Sequence, residues 1–201
     1  NNDLSVINLV SGKETSRITV EREPVAAALT PNGKLLVVAN HIHSGRADAE
    51  RVAARVSLID TATGKLLKHL PLPNGSGLLN DVAISPDGRY ACVTHVLARF
   101  QLPTTQVERG WINSNALTLI DLNTLAVLNT VLVDNAESGA ANPWTCGWSP
   151  DGTKLFVTHA GTHEVSLIDF SGLLARLARL PANLEDRLTA DYTTSSRVKA
   201  D

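Results

Sequence analysis

Histidines that end or follow apolar runs are the side chains of this sequence best suited to metal binding or proton transfer. His95 and His159 each end such a run, and Asn40 stands at the equivalent place in an earlier one. Imidazole ligates transition metals and acts as a general base near neutral pH. The alternative is a structural role, in which these side chains only hydrogen-bond loop backbone. The candidate histidines are His41, His43, His95, His159 and His163.

Two short motifs alternate along the chain and place these residues. The first is a turn between apolar runs: "AALTPNGKLLVVAN" from Ala27, "VAISPDGRYACVTH" from Val82 and "CGWSPDGTKLFVTH" from Cys146. The second is "SVINLVSGK" from Ser5, "VSLIDTATGK" from Val56, "LTLIDLNTLA" from Leu117 and "VSLIDF" from Val165.

The turn motif has a direct physical interpretation. Proline fixes φ, the Asp or Asn side chain bonds local backbone, and glycine accepts a positive φ, which we predict for Gly88 and Gly152. Each full repeat therefore predicts four short antiparallel strands. Some of these strands are apolar on consecutive residues and must be covered on both faces. Four-stranded sheets stacked around an axis meet that need, so the sequence predicts an all-β fold, a β-propeller.

The repeats resemble the YVTN-type propeller repeat of surface-layer and lactonase-like proteins, whose pattern is close to "SPDG…YVTN…VSVIDTATGK". The resemblance covers residues 4–170. The long loops and the tail "SGLLARLARLPANLEDRL" are similar to those of bacterial propellers that adjoin c-type cytochrome modules. This likeness implies an extracytoplasmic location, which is periplasmic, cell-surface or secreted. It also implies a cytochrome module as a partner. No cofactor is expected within this chain, which has no CxxCH motif for haem attachment. The likeness leaves haem c or a divalent metal open for the full-length protein.

The number of strands predicts only part of a ring. We count two strands before Pro24, four up to Leu72, four up to Val133 and three up to Phe170. Residues 1–170 therefore form three to four four-stranded blades, whereas closed propellers have about 4–8. The remaining blades are expected elsewhere in a longer chain or in another chain. The chain has no Met and no signal peptide, which favours a mature chain or an excised piece.

Residues 171–201 are predicted to be a helical insertion followed by a loop-like tail. Leu173, Leu174, Leu177 and Leu180 share one helical face, which indicates a helix within 172–189.

Strand direction places two loop insertions, 41–55 and 95–115, on one face of the disc, together with the connections between blades. Seven residues past each turn glycine, Asn40, His95 and His159 reach this loop-rich face. Neighbouring sheets lie about 10 Å apart, so His95 and His159 could share a metal only by leaning together. They are the metal candidates, although the structural role is favoured and no metal is predicted. His69, in an outer strand, is predicted to lie at the surface.

Other residues of the loop-rich face are candidates for binding. Arg99, Arg109 and Trp111 in the second insertion are of the types that anchor interfaces. Trp144 follows a proline at the mouth and could line a pocket. Asn80 and Asp81, at the matching place one blade earlier, could offer oxygen ligands to a divalent cation.

Three functions remain open at this stage. The first is a non-catalytic propeller that binds a partner protein, domain or small ligand through its loop-rich face. The second is a domain of a periplasmic redox enzyme of the cytochrome or peroxidase kind, with metal or haem near the mouth histidines. The third is a lactonase-like hydrolase. Whether the protein is an enzyme stays open, and no catalytic residue is assigned, because motifs such as GxSxG and HExxH are absent.

Composition excludes two classes of partner. The net charge of −2 gives no electrostatic reason to expect nucleic acid. Apolar runs of about six residues are too short to span a membrane. Cys92 and Cys146 each lie inside an apolar run and do not settle the redox compartment.

Overall fold

The computed structural model describes residues 2–98, 113–134 and 139–180. Its strands form four antiparallel sheets in chain order. Blade 1 contains β1 (Asp3–Ile7) and β2 (Glu14–Thr19). Blade 2 contains β3 (Pro24–Leu29), β4 (Leu35–Asn40), β5 (Arg55–Asp60) and β6 (Lys65–Pro71). Blade 3 contains β7 (Ser76–Ile84), β8 (Tyr90–Ala98), β9 (Asn113–Asp121) and β10 (Ala126–Leu132). Blade 4 contains β11 (Pro143–Trp148), β12 (Lys154–His159) and β13 (Glu164–Asp169), and α1 (Phe170–Leu177) follows it.

The blades pack face to face and bury their apolar side chains between them. Val37 and Leu58 of blade 2 share one core with Leu79 of blade 3. A second core joins Leu117 of blade 3 to Leu155 of blade 4. The innermost strands β3, β7 and β11 contact one another in that order. The predicted all-β propeller of four-stranded antiparallel blades is therefore confirmed, with three to four blades present.

The turns between the first two strands of each blade have the conformation that their residues predict. Gly88 has a φ of 72° and Gly152 a φ of 71°, so the prediction for these glycines is confirmed. Asp87 accepts hydrogen bonds from the Ser85 hydroxyl at 2.5 Å and from the backbone N–H of Arg89 at 3.0 Å. These turns lie at the face opposite the loop insertions, because β3–β4 and β7–β8 are antiparallel hairpins.

The helix starts two residues earlier than its leucine pattern indicates. Phe170, its first residue, is buried and meets Tyr90 and Trp148 edge to face, with ring centroids 5.3 and 4.3 Å apart. Leu173 and Leu177 are buried beside it, so α1 covers the outer part of blade 3 and blade 4. The part of the predicted helix beyond residue 180 and the tail lie outside the described residues. No helix in the described part of the chain is long and apolar enough to cross a bilayer.

At both ends of the row, the described residues supply fewer than four strands to a blade. β1 and β2 correspond by sequence to the third and fourth strands of a blade, since "SVINLVSGK" aligns with "VSLIDTATGK". Blade 4 has three strands, and β13 has no outer neighbour among the described residues. Apolar side chains are exposed at these ends: Val25, Leu29, Trp144, Val165 and Leu167.

Candidate functional site

The ends of the second strands, the starts of the third strands and the connections between blades meet at one face, as predicted from strand direction. The first insertion, between β4 and β5, is held down on this face by backbone hydrogen bonds. The N–H of Ala54 donates to the Ser76 carbonyl at 2.8 Å, and the N–H of Leu72 donates to the Ala54 carbonyl at 3.2 Å. The Asn74 side chain accepts a hydrogen bond from the N–H of Val52 at 2.9 Å. These hydrogen bonds therefore fix the position of the first insertion on the loop-rich face.

A row of hydrogen-bonded polar side chains lies just below this face in each of blades 2, 3 and 4, and we call it the polar row. In blade 3 it begins at His95, which is fully buried. Nε2 of His95 lies 2.8 Å from the hydroxyl of Thr118 on β9, and that hydroxyl lies 2.6 Å from Thr130 on β10. Nδ1 of His95 lies 3.3 Å from the carbonyl oxygen of Val96. Both ring nitrogens therefore have partners.

The polar row of blade 4 has the same contact between a histidine Nε2 and a hydroxyl, but it has one residue fewer than the row of blade 3. Nε2 of His159 lies 2.7 Å from the hydroxyl of Ser166 on β13, and Nδ1 lies 2.9 Å from the carbonyl oxygen of Ala140. Because Nδ1 faces a carbonyl, it carries the proton, and Nε2 accepts the hydroxyl hydrogen. No fourth strand continues the row among the described residues, whereas β10 supplies Thr130 in blade 3.

In blade 2 the polar row starts from an asparagine and reaches a carboxylate. The Asn40 amide donates to the Ser57 hydroxyl at 2.9 Å and to the Arg55 carbonyl at 2.7 Å. The Ser57 hydroxyl then lies 3.0 Å from Nδ1 of His69, whose Nε2 is 3.8 Å from Glu21. His69 was predicted to lie at the surface. It is in fact half-buried, because its ring lies between Ser57 and Glu21.

Glu21 and its partners are the part of this region that the sequence did not reveal. Glu21 pairs with Arg55 at 2.9 Å and accepts a hydrogen bond from the Ser44 hydroxyl in the first insertion. Burial raises the pKa of Glu21, but the Ser44 hydrogen bond and the charges of Arg55 and His69 outweigh it, so the pKa is lowered. The sequence does contain a pattern that could have predicted the polar rows. Every "VSLID"-type segment has a hydroxyl side chain at the same aligned position: Ser5, Ser57, Thr118 and Ser166.

The chemistry of the buried histidines is constrained by their partners. A metal would have to displace a hydrogen bond from His95 or His159, since all four ring nitrogens have partners. Burial lowers the pKa of His95 to about 4, partly opposed by its hydrogen bond to the Val96 carbonyl, so the ring is neutral near pH 7. These contacts match the structural role.

The Ser166–His159 pair has the distance of a nucleophile and its base. The equivalent hydroxyls of Ser57 and Thr118 are fully buried beneath the outer strands β6 and β10, where no substrate can reach them. The repetition of one geometry in three blades therefore favours a structural role for Ser166 as well.

Asn80 and Asp81 join blade 3 to blade 4. The Asn80 amide donates to the Pro143 carbonyl at 2.8 Å. One Asp81 oxygen accepts from the N–H of Val82 at 2.9 Å, and the other accepts from the N–H of Cys146 at 3.1 Å and from the Thr145 hydroxyl. The carboxylate is therefore engaged by protein donors. Within the described ranges, no group of three or more His, Cys, Asp or Glu residues could hold a metal ion.

The remaining candidates are spread over the face. Nδ1 of His41 lies 2.8 Å from the Leu79 carbonyl, which links blade 2 to blade 3. His43 packs inside the first insertion, with Nδ1 3.0 Å from the Ala53 carbonyl. His163 is exposed, with a φ of 60°, in the connection between β12 and β13. Trp144 is 56% exposed at the start of β11. Three further candidates lie outside the described residues: Arg99, Arg109 and Trp111.

Both the sequence comparison and the structure comparison find a similarity to hydrazine synthase. The chain is 27% identical over 163 residues to the hydrazine synthase subunit beta of Kuenenia stuttgartiensis, covering 81% of this chain and 40% of that protein. The solved structure of Kuenenia stuttgartiensis hydrazine synthase matches with a TM-score of 0.80 at 25% identity, covering 95% of this chain and 51% of that one. The chain resembles part of a hydrazine synthase subunit. It spans about half or less of the length of these relatives, and no family model matches it.

Proposed function

We propose that this chain is one part of a propeller that serves as a non-catalytic subunit of a redox enzyme assembly and binds a partner subunit through its loop-rich face. The similarity to a subunit of hydrazine synthase is the observation that carries the proposal. A protein described as subunit beta works with other chains, and this chain shares the blade architecture of the hydrazine synthase structure across 95% of its length.

The side-chain chemistry supports a binding role over a catalytic one. Three polar residues that could do chemistry at the mouth, His95, Asp81 and His159, are engaged by hydrogen bonds within their own blade or to the neighbouring blade. By contrast, the first insertion presents exposed charges, including Arg46 and Asp48, in a segment that is fixed by its own hydrogen bonds. A fixed, exposed loop that follows a packed strand is a common basis for recognition.

The second candidate is a redox subunit with metal or haem at the mouth histidines, and the described residues do not fit it. Both ring nitrogens of His95 and of His159 have hydrogen-bond partners, and within the described residues no three or more His, Cys, Asp or Glu side chains form a group that could hold a metal ion. Haem c or a divalent metal therefore belongs in this proposal to a cytochrome module or another partner. The extracytoplasmic location also remains a proposal, which fractionation of the native cells would test.

Charge reversal on the loop-rich face of the full-length protein tests the proposal. The assembly is first isolated from its native source through a tag on this protein, and the co-purifying subunit is then purified separately. Arg46→Glu combined with Arg51→Glu should raise the Kd for that subunit about tenfold or more, which corresponds to about 1.4 kcal/mol.

The matched control places the same charge change on the opposite face. Lys34 and Lys65 are exposed and flank the short turns there, so Lys34→Glu combined with Lys65→Glu should leave the Kd within about twofold. The proposal is wrong if the control pair weakens binding while the pair in the insertion does not, or if the isolated protein has no partner subunit.

A further inference from the structure

The two cysteines of the chain meet at the interface between blade 3 and blade 4. Cys92 lies in β8 and Cys146 in β11, and both are buried. Their sulfur atoms are 3.0 Å apart. We propose that Cys92 and Cys146 form a disulfide that joins the two blades covalently when the protein folds under oxidising conditions.

The strand β7 holds both cysteines in register. Cys92 pairs with Ala83 across the β7–β8 ladder. Cys146 is fixed to the same strand from the other side, because its N–H donates to Asp81 at 3.1 Å. The separation of the sulfur atoms exceeds the length of a disulfide bond by only about 1 Å, so the bond needs a small side-chain movement.

Other roles for this pair of thiols are disfavoured by their surroundings. The hydrogen bond with Cys92 and burial in the core raise the pKa of the Cys146 thiol well above its usual value. A protonated, inaccessible thiol is a poor nucleophile. A stable thiolate metal site would require further ligands, and no third ligand lies in the described part of the molecule.

The proposed oxidation is an exchange with an external disulfide, either oxidised glutathione or the active-site disulfide of a thiol oxidoreductase. Cys92 and Cys146 together lose two protons and two electrons as the S–S bond forms. The acceptor disulfide takes them up and becomes two thiols. Because the blade interface excludes reagents, the exchange takes place during folding, before blade 4 packs on blade 3. The resulting loop encloses β9 and β10, and closing a loop of this length restricts the unfolded chain.

Peptide mapping of the full-length protein tests the disulfide. The protein is folded in a mixture of oxidised and reduced glutathione, then denatured and alkylated without reduction. The monomeric band is cut from a non-reducing gel and digested with trypsin. Cleavage at Arg89, Arg99, Arg109 and Lys154 gives the peptides 90–99 and 110–154, each with one cysteine. We expect these two peptides to be joined, with a mass two hydrogens below their sum, and to separate after reduction.

A melting experiment provides the control. Reduction should lower the melting temperature of the wild-type protein by about 5–10 °C. The same reductant should leave the melting temperature of Cys146→Ala unchanged, which excludes a general effect of the reductant. If both cysteines are alkylated after folding in the redox buffer, or if either is joined to a different cysteine, the inference is overturned.

Discussion

His95 is stable in its site only while its ring is neutral. Its Nδ1–H points at a carbonyl oxygen, and its Nε2 accepts the Thr118 hydroxyl. A second proton on Nε2 would put two donors face to face, unless Thr118 turned its hydroxyl away from the ring. The protonated ring would also be a buried charge without a counter-ion among the described residues, which is costly. This cost of burying the charged ring is the reason that the pKa of His95 is lowered.

We expect the acid sensitivity of the protein to depend on this residue. The pKa of His95 is about 4 in the folded chain, against 6.5 as its ordinary value. Between these values the unfolded chain binds more protons, so stability falls as the pH falls, by about 2 kcal/mol between pH 7 and 5. His95→Asn introduces the residue that occupies this place in blade 2 and does not titrate. Urea unfolding of the full-length protein at pH 7 and pH 5 should therefore differ less in the variant than in the wild type.

The control for this experiment is an exposed histidine. His163→Asn replaces a solvent-exposed ring with a residue that also tolerates its positive φ, so the loss of stability between pH 7 and pH 5 should match that of the wild type. An equal loss in His95→Asn and the wild type would contradict the assignment of the low pKa to His95.

At the scale of strands and turns, most of the architecture could be predicted because its determinants are local. The hairpins follow from proline, aspartate and glycine at fixed places, and the spacing of Asn40, His95 and His159 follows from the turn glycines. Contacts that depend on strand register could not be found in this way. His69 reaches Ser57 because β6 pairs with β5 in a particular register, which the sequence of β6 alone does not reveal.

Contacts between blades were harder still to predict. The approach of Cys92 to Cys146 and the bonds from Asp81 to β11 depend on how one sheet stacks on the next. No motif encodes that stacking, because it results from the sum of the side chains that pack between two blades.

The turns of successive blades also stack, and this gives a prediction for glycine substitutions. A Cβ atom on Gly88 would lie 3.3 Å from Cδ of Pro31 in the preceding turn, whereas a Cβ atom on Gly33 would have nothing within 4 Å. Both glycines have a positive φ, of 72° and 70°, so alanine at either place costs about 1 kcal/mol of backbone strain. In thermal unfolding of residues 1–201, Gly88→Ala should lose more stability than Gly33→Ala, because Pro31 must also move. Equal losses would show that the turns do not stack.

At the scale of the whole molecule, the row of blades ends in surfaces that a closed ring would cover. Among the described residues, the polar row of blade 4 stops at Ser166, whereas the rows of blades 2 and 3 continue to His69 and Thr130 on their outer strands. Leu29 at one end is 53% exposed, and Leu167 at the other is 48% exposed. Apolar surfaces next to unpaired strand edges promote association between molecules.

We therefore expect residues 1–201, expressed alone, to self-associate through these ends. Leu29→Lys combined with Leu167→Lys should weaken the association about tenfold or more, because contact would then bury an unpaired ammonium group at each end. Ala62→Lys combined with Asn123→Lys adds the same charge at exposed turns and should change the association little. Sedimentation velocity over a range of concentrations measures the effect. A wild-type chain that sediments as a compact monomer would mean that the ends are already satisfied within the chain, and the blades would then have to close in another way.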